Sequence, residues 1–213
     1  MKINISTNLR IIFTGLILLG RVANATGAEV AMSAEQVRPL LVGQKIPAVQ
    51  LTAMDGKIIE LKELVSKKAA ILVFYRGGWC PYCNLQMKDL KTVEPTLIKL
   101  GYQIIAISPD RVEELKKSQN KQQLNYALFS DSLANAAKEF GIAFKVSDSI
   151  LTQYKGYGID LNKASGETHN ILPVPSVFII GRDGEIKFQY VNPNYKVRLK
   201  ADVLSAAARA YIN

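Results

Sequence analysis

The sequence predicts an α/β fold, a central mixed β-sheet flanked by helices. Three observations carry that reading. The continuous apolar run Ala69–Tyr75 shows no polar alternation, as a strand buried on both faces does, and the run Tyr102–Ser108 reads as a second buried strand. A helical pattern follows each run, and such alternation produces parallel strands joined by crossover helices. Late in the chain, Ser176–Ile180 and Ile186–Val191 flank Gly181-Arg182-Asp183-Gly184, a turn that folds them into an antiparallel hairpin.

Residues 1–25 read as a secretory signal peptide. Lys2 and Arg10 lead into the apolar run Ile11–Gly20, no acidic residue precedes Glu29, and Ala23-Asn24-Ala25 offers a cleavage site. The run is too short to span a bilayer comfortably, so an uncleaved anchor is the lesser reading. No cysteine lies near the cleavage site, so a lipid anchor is not indicated. Export would make the mature chain periplasmic or secreted, without stable membrane association, in a space where disulfides persist. Residues 26–43 form an N-terminal extension. In it Ser33-Ala34-Glu35-Gln36 has a capping-box pattern that opens a short helix to Leu41, and Gly43 ends it.

One domain covers residues 44–213. Val49–Thr52 and Ile58–Leu61 flank Asp55-Gly56 as a small hairpin. After the first buried strand, Pro81–Leu100 turns helical, with Leu90, Val93, Leu97 and Leu100 on one face; Pro95 is expected to kink it and Gly101 to cap it. Arg111–Gln119 reads as a polar helix and Leu128-Phe129 as a short strand. Ser130 or Asp131 then caps a helix that reaches Phe140 and closes at Gly141. Phe144–Thr168 reads as a long insertion with one short helix, and Asp202–Tyr211 as a final helix.

Composition narrows the function. Hydrophobic residues make up 48% of the chain and charged residues 21%, which supports a packed core and excludes global disorder. The net charge is +9, and loss of Lys2, Arg10 and Arg21 with the signal leaves +6. The remaining lysines and arginines are scattered, with no basic stripe interleaved with aromatics, so nucleic-acid binding is not supported.

The chemistry concentrates at Trp79-Cys80-Pro81-Tyr82-Cys83, which holds the only two cysteines of the chain. A C-x-x-C pair closes and reopens a small disulfide, so it points to redox chemistry. Pro81 suits the first turn of a helix, where a missing N–H costs nothing. Cys80 then sits at the helix N-terminus, where free N–H groups and the positive dipole end lower a thiol pKa from about 8.5 towards ~3.5–7.5. Arg76 adds positive charge if it points inward, and Gly77 and Gly78 let the backbone turn. On this reading Cys80 is the exposed nucleophile and Cys83 the resolving thiol. A mixed disulfide on Cys80 is attacked by Cys83, leaving the pair oxidised; a sulfenic acid would be consumed the same way.

Other readings are weaker. Two cysteines and one histidine are too few for a closed zinc site, so no metal and no cofactor are expected. An inert structural disulfide competes with the redox reading. A second constellation, Leu172-Pro173-Val174-Pro175-Ser176, opens a buried strand, and a cis Val174–Pro175 bond is expected there. His169, the sole histidine, would serve as acid or base if its loop covered the cysteines; a solvent-exposed loop position is the favoured reading.

These residues carry a resemblance. Phe74-Tyr75-Arg76-Gly77-Gly78-Trp79-Cys80-Pro81-Tyr82-Cys83-Asn84 resembles the active-site segment of a peroxiredoxin-like group in the alkyl hydroperoxide reductase/thiol-specific antioxidant superfamily. The likeness continues through Gly43-Gln44-Lys45-Ile46-Pro47, Ala106-Ile107-Ser108-Pro109, Ser130-Asp131, Leu172-Pro173-Val174-Pro175, Gly181-Arg182-Asp183-Gly184 and Asn192-Pro193-Asn194-Tyr195. It implies a thioredoxin-like fold with Pro175 as a cis proline facing the cysteines, and Arg76, Trp79 and Pro81 in supporting roles. It also implies a protein or small-molecule thiol or disulfide as partner, with a peroxide as the other candidate substrate. The sequence departs from the pattern, however. Alignment to the family's Pro-x-x-x-Thr/Ser-x-x-Cys places the peroxidatic cysteine on Cys83, the hydroxyl position on Cys80 and the proline on Arg76. The family's later arginine falls around Val174-Pro175. Thioredoxin logic therefore favours Cys80 as nucleophile, and peroxiredoxin alignment favours Cys83. Thiol–disulfide exchange is the leading activity and peroxide reduction the second. A redox-inert binding module or metal chaperone is the non-enzymatic alternative.

Overall fold

The computed structural model describes Met1 and residues 29–211. The signal-peptide reading falls on residues 2–28 and so lies outside the described part. Strand β1, Gln50–Ala53, pairs antiparallel with β2, Ile58–Glu60, as the Asp55-Gly56 turn predicts. Helix α1, Leu61–Lys67, leads to β3, Ala70–Phe74, all five residues of which are buried. The long helix α2, Pro81–Lys99, crosses over to β4, Gln103–Ser108, and helix α3, Val112–Gln122, crosses to β5, Ala127–Ser130. Strands β3, β4 and β5 are parallel, as the strand–helix alternation requires.

Helix α4, Asn135–Glu139, is followed by the short strand β6, Ala143–Lys145, and by helices α5, Asp148–Gly156, and α6, Leu161–Ser165. Strand β7, Ile171–Pro173, returns antiparallel to β6. Strands β8, Ser176–Ile180, and β9, Ile186–Val191, form the expected hairpin, and α7, Ala201–Ala210, closes the chain. The main sheet runs β2-β1-β5-β4-β3-β8-β9, with β8 antiparallel to β3. It is the mixed, helix-flanked sheet that the sequence predicts.

Strand periodicity divides the core. Side chains alternate across a sheet, so Leu72 and Phe74 of β3 face one side while Ile71 and Val73 face the other. The first side holds Phe74, Phe140 and Phe178, whose rings meet at 5.0–6.1 Å. The second side holds Cys80, Cys83, Met87, Leu90 and Leu97, and is closed by Leu204 and Ala208 of α7. Each such aliphatic side chain contributes about 1.5–3 kcal/mol by leaving water. Tyr102 Oη donates within 3.2 Å of Ala208 O and 2.9 Å of Tyr211 O, which ties the end of α7 to the root of β4. The sheet thus ends at the cysteines with a rigid, doubly packed strand behind them.

Some expectations change. The capping-box segment forms only a single 3-10 turn, Ala34–Gln36. Pro39 disfavours helical backbone at Arg38, and the chain instead lies extended against Gly141 and Phe140, with Arg38 N–H and Leu40 N–H donating to their carbonyls. Pro95 does stand inside α2, as the sequence places it, on the exposed side, while Leu97 stays fully buried. The insertion contains two helices and a strand, not one helix. The N-cap position of α4 is Ala134, in neither predicted place, but Asp131, one of the two candidates, serves the helix end from outside it: its carboxylate accepts the N–H groups of Ala136 and Ala137 at 3.0 and 2.9 Å.

Gly141 has φ +68, and a Cβ there would stand 2.0 Å from the carbonyl oxygen of Arg38. Gly101 has φ +90 with open space around it. Replacing Gly101 with alanine should therefore cost only the left-handed backbone penalty, about 1 kcal/mol. Gly141→Ala should cost clearly more, because the N-terminal segment must also shift. Urea unfolding of the two variants checks the order.

Candidate active site

Strand β3 delivers Tyr75 and Arg76 to the edge of the sheet, and Tyr75 N–H still donates to Ile107 O at 3.0 Å. The chain then turns at Gly77, with φ +144. A Cβ on Gly77 would fall 2.3 Å from Trp79 Nε1 and 2.7 Å from Asp110 Oδ1, so the turn needs glycine. Gly78 N–H donates to Asp110 Oδ2 at 2.7 Å. Cys80 N–H closes onto Gly77 O at 3.1 Å, and Cys80 O accepts the first helical bond from Asn84 N–H at 3.0 Å. Cys80 is therefore the N-cap of α2, with Pro81 at the first helical position. Cys83 lies one turn along the same helix.

Both cysteines are free thiols, 1% and 0% exposed. The expectation of an exposed Cys80 is thus corrected. A guanidinium from the far end of the chain lies against both sulfurs: Arg198 Nη2 is 3.3 Å from Cys83 Sγ and 3.9 Å from Cys80 Sγ. Its Nη1 donates to Gln86 Oε1 at 2.8 Å and its Nε to Tyr195 O at 2.7 Å, so every nitrogen is oriented. Sequence reasoning missed Arg198. A signal was present: Asn192 and Asn194 each accept a backbone N–H two residues on, at 2.9 and 3.1 Å, which makes the tight turn that returns Arg198 to the cysteines.

Arg76 points inward and is 3% exposed. Its guanidinium carbon lies 5.1 Å from the Trp79 ring centre, 5.4 Å from that of Tyr154 and 4.1 Å from that of Tyr195, and it donates to Tyr154 Oη. Such cation–π contacts are worth about 0.5–2 kcal/mol each, the larger figure when desolvated. Trp79 and Tyr154 also stack, 5.7 Å between ring centres. The insertion (through Tyr154) and the C-terminal segment (through Tyr195) therefore both close over the cysteine loop.

This arrangement separates the two thiols electrically. A hydrogen bond from the Cys83 thiol, the positive charge of Arg76, the N–H of Cys83 and the charge of Arg198 outweigh burial and lower the Cys80 pKa to about 6. Burial, followed by the neighbouring Cys80 sulfur, pushes Cys83 well up. Cys80 is the readier thiolate and Cys83 the reserve proton donor. Behind the loop, burial raises Asp110 to about 7 although it accepts the Gly78 N–H.

The remaining sequence candidates are placed as follows. Pro175 precedes Ser176, whose register partner is Phe74, so it lies at the end of the sheet from which the cysteine loop departs. The expected cis Val174–Pro175 bond is absent, since every peptide bond described is trans. Extended backbone with Ser176 Oγ bonded to Val174 O at 2.7 Å seats the proline at the strand start without it. His169 is neither an exposed loop residue nor bonded to a cysteine. It is half-buried, its Nδ1 accepts Ile171 N–H at 2.9 Å, and its Nε2 therefore donates to Ser132 O at 2.6 Å. It is a structural strut between two loops.

Known proteins match this chain. Peroxiredoxin Bcp of Escherichia coli is 28% identical over 106 residues, 50% of this chain and 67% of that protein, and a Haemophilus influenzae bcp protein is 32% identical over the same length, 68% of its own. The thiol-disulfide oxidoreductase ResA of Bacillus anthracis is 24% identical over 159 residues, 75% of either chain. Among solved structures, reduced Prx3 of Vibrio vulnificus in complex with hydrogen peroxide superposes with a TM-score of 0.66 at 17% identity, covering 79% of this chain and 99% of that one. Peroxiredoxin Q of Xanthomonas campestris gives 0.62 at 20% identity, covering 81% and 99%. The model of the AhpC/TSA family matches residues 42–189, and the chain belongs to that family as a thiol-dependent oxidoreductase.

Proposed function

We propose that this protein is an exported thiol–disulfide oxidoreductase that cycles Cys80 and Cys83 between dithiol and disulfide. The observation that carries the reading is the asymmetry of the pair's surroundings: Cys80 stands at the N-cap of α2 with the Cys83 thiol, Arg76 and Arg198 near it, which lowers its pKa to about 6, whereas Cys83 lies one turn inside the apolar face, where burial raises it. Cys80 attacks a partner disulfide as thiolate, and the leaving sulfur departs reduced. Cys83 then gives up its proton, attacks the Cys80 sulfur of the mixed disulfide and releases the second partner thiol. Burial of both sulfurs requires the Arg76–Tyr154–Tyr195 cover to open for this encounter. Residues 1–25 support export to the periplasm or beyond, with no lasting membrane attachment. Among the described residues no helix is long and apolar enough to cross a membrane.

Arg198 favours a second reading, peroxide reduction. A guanidinium within reach of both sulfurs can polarise an O–O bond as a thiolate attacks it. The Bcp and PrxQ relatives are peroxiredoxins by name. On this route the attacking cysteine becomes a sulfenic acid as the peroxide leaves as an alcohol or water, and the other thiol condenses with it with loss of water, so the same disulfide forms.

Three experiments test these readings. Thiolate absorbance of the reduced protein should rise with a midpoint near pH 6, and Cys83→Ala should move that midpoint upward, because the chief cause of the lowering is removed. A Cys83→Ser variant mixed with a disulfide substrate should accumulate a mixed disulfide at Cys80, read by mass spectrometry, whereas Cys80→Ser should form none. Stopped-flow oxidation by hydrogen peroxide separates the activities. Fast oxidation that survives Cys80→Ser but not Cys83→Ser would make Cys83 peroxidatic and overturn the exchange reading.

A further inference from the structure

Two adjoining hollows of about 320 and 740 Å³ run from the cysteine loop along the face between α2 and α3, sharing Lys121 and Gln122. The first begins at Gly78 and Trp79, beside Cys80; the second continues past Pro81 to Thr92. That stretch of α2 alone is about 16 Å long, room for about five extended residues. Five lysines line the groove, and besides Lys117 these are Lys88, Lys91, Lys121 and Lys163. None of these four takes part in an ion pair among the described residues.

The acids of the groove are all engaged. Asp110 is buried under the Gly78 amide, Glu114 holds Lys117 at 2.7 Å, and Asp160 caps α6 by accepting the Lys163 backbone N–H at 3.0 Å. With five lysines against three acids the groove is net positive, and the excess lies in its second hollow, which Lys88, Lys91 and Lys121 line without an acid. It also offers an apolar foothold: Leu85, on its wall, is 59% exposed, and Tyr82 beside it is 38% exposed.

We propose that this groove docks an extended acidic segment of a partner protein and so presents that partner's sulfur to Cys80. Length argues for a polypeptide over a small anion, charge complementarity argues for acidic side chains, and the groove's end at Gly78 and Trp79 leads the segment to the cysteine loop. The proposal rests on the exchange reading above.

The test uses a synthetic peptide with a run of glutamates beside a single cysteine, and a matched peptide with glutamines. Trp79, the only tryptophan of the chain, lines the groove and reports occupancy by its emission. With S-methylated peptides and oxidised protein, the glutamate peptide should shift that emission and the glutamine peptide should not, and added salt should abolish the shift. With both peptides as mixed disulfides of nitrothiobenzoate, Cys80 thiolate attacks the peptide sulfur and nitrothiobenzoate leaves. Cys83 then releases the peptide as a thiol: the pair loses two electrons and the probe disulfide gains them. The glutamate probe should react roughly 10-fold faster at low salt. The double substitution Lys88→Glu, Lys121→Glu should erase that advantage and leave the glutamine probe's rate unchanged. Equal rates for the two peptides in the unsubstituted protein, an advantage that survives the double substitution, or equally good binding of free glutamate would overturn the proposal. A glutamate-specific emission shift without release of nitrothiobenzoate from either probe would instead sustain the groove and remove the exchange reading.

Discussion

Everything at the site depends on one buried cation. Arg76 is held 3% exposed, and among the described residues no carboxylate pairs with it. An uncompensated charge in such a place costs several kcal/mol or more unless other groups answer it. The answers here are three aromatic faces, one phenolic oxygen and the sulfur of Cys80. The thiolate is thus part of what makes the guanidinium tolerable, and the guanidinium is part of what makes the thiolate form. Each of the three rings comes from a different stretch of chain, so the cation also fixes the cysteine loop, the insertion and the C-terminal segment against one another.

The two sulfurs share a helix turn and yet live in different fields. Cys80 stands where backbone N–H groups end unpaired, and Cys83 stands inside the apolar face formed with Met87 and Leu90. Two positive side chains serve this pair, one from each side in sequence. The family resemblance looks for its later arginine around Val174-Pro175, where this chain has a fully buried valine and a proline. The charge is supplied instead by Arg198, beyond the last strand.

Much of the frame was legible because it is written locally. Largely apolar runs gave β3, β4 and β8, the Asp55-Gly56 and Asp183-Gly184 turns gave both hairpins, and Pro81 marked the first turn of α2. What stayed hidden is nonlocal. The β6–β7 ladder joins segments nearly thirty residues apart in sequence, such as Ala143 and Pro173, and neither three-residue strand has a pattern of its own. Arg198 contacts Cys83 across 115 positions, and no spacing rule reaches that far. The burial of Cys80 was missed for the same reason: exposure at a helix N-terminus is a local inference, and the covering residues Tyr195 and Arg198 arrive from elsewhere. Pro39 shows the converse, a local breaker whose effect the capping-box pattern had masked.

The stretch from Asn192 to Lys200 has no regular structure, yet it carries both Tyr195 and Arg198. A chain made from its N-terminus completes β3, the cysteine loop and α2 more than ninety residues before this stretch exists. Until it arrives, the cysteines lack one of their two cations and part of their roof. The site is therefore chemically unfinished through much of the protein's synthesis, and its second cation and the Tyr195 part of its roof are added by the irregular stretch between β9 and α7.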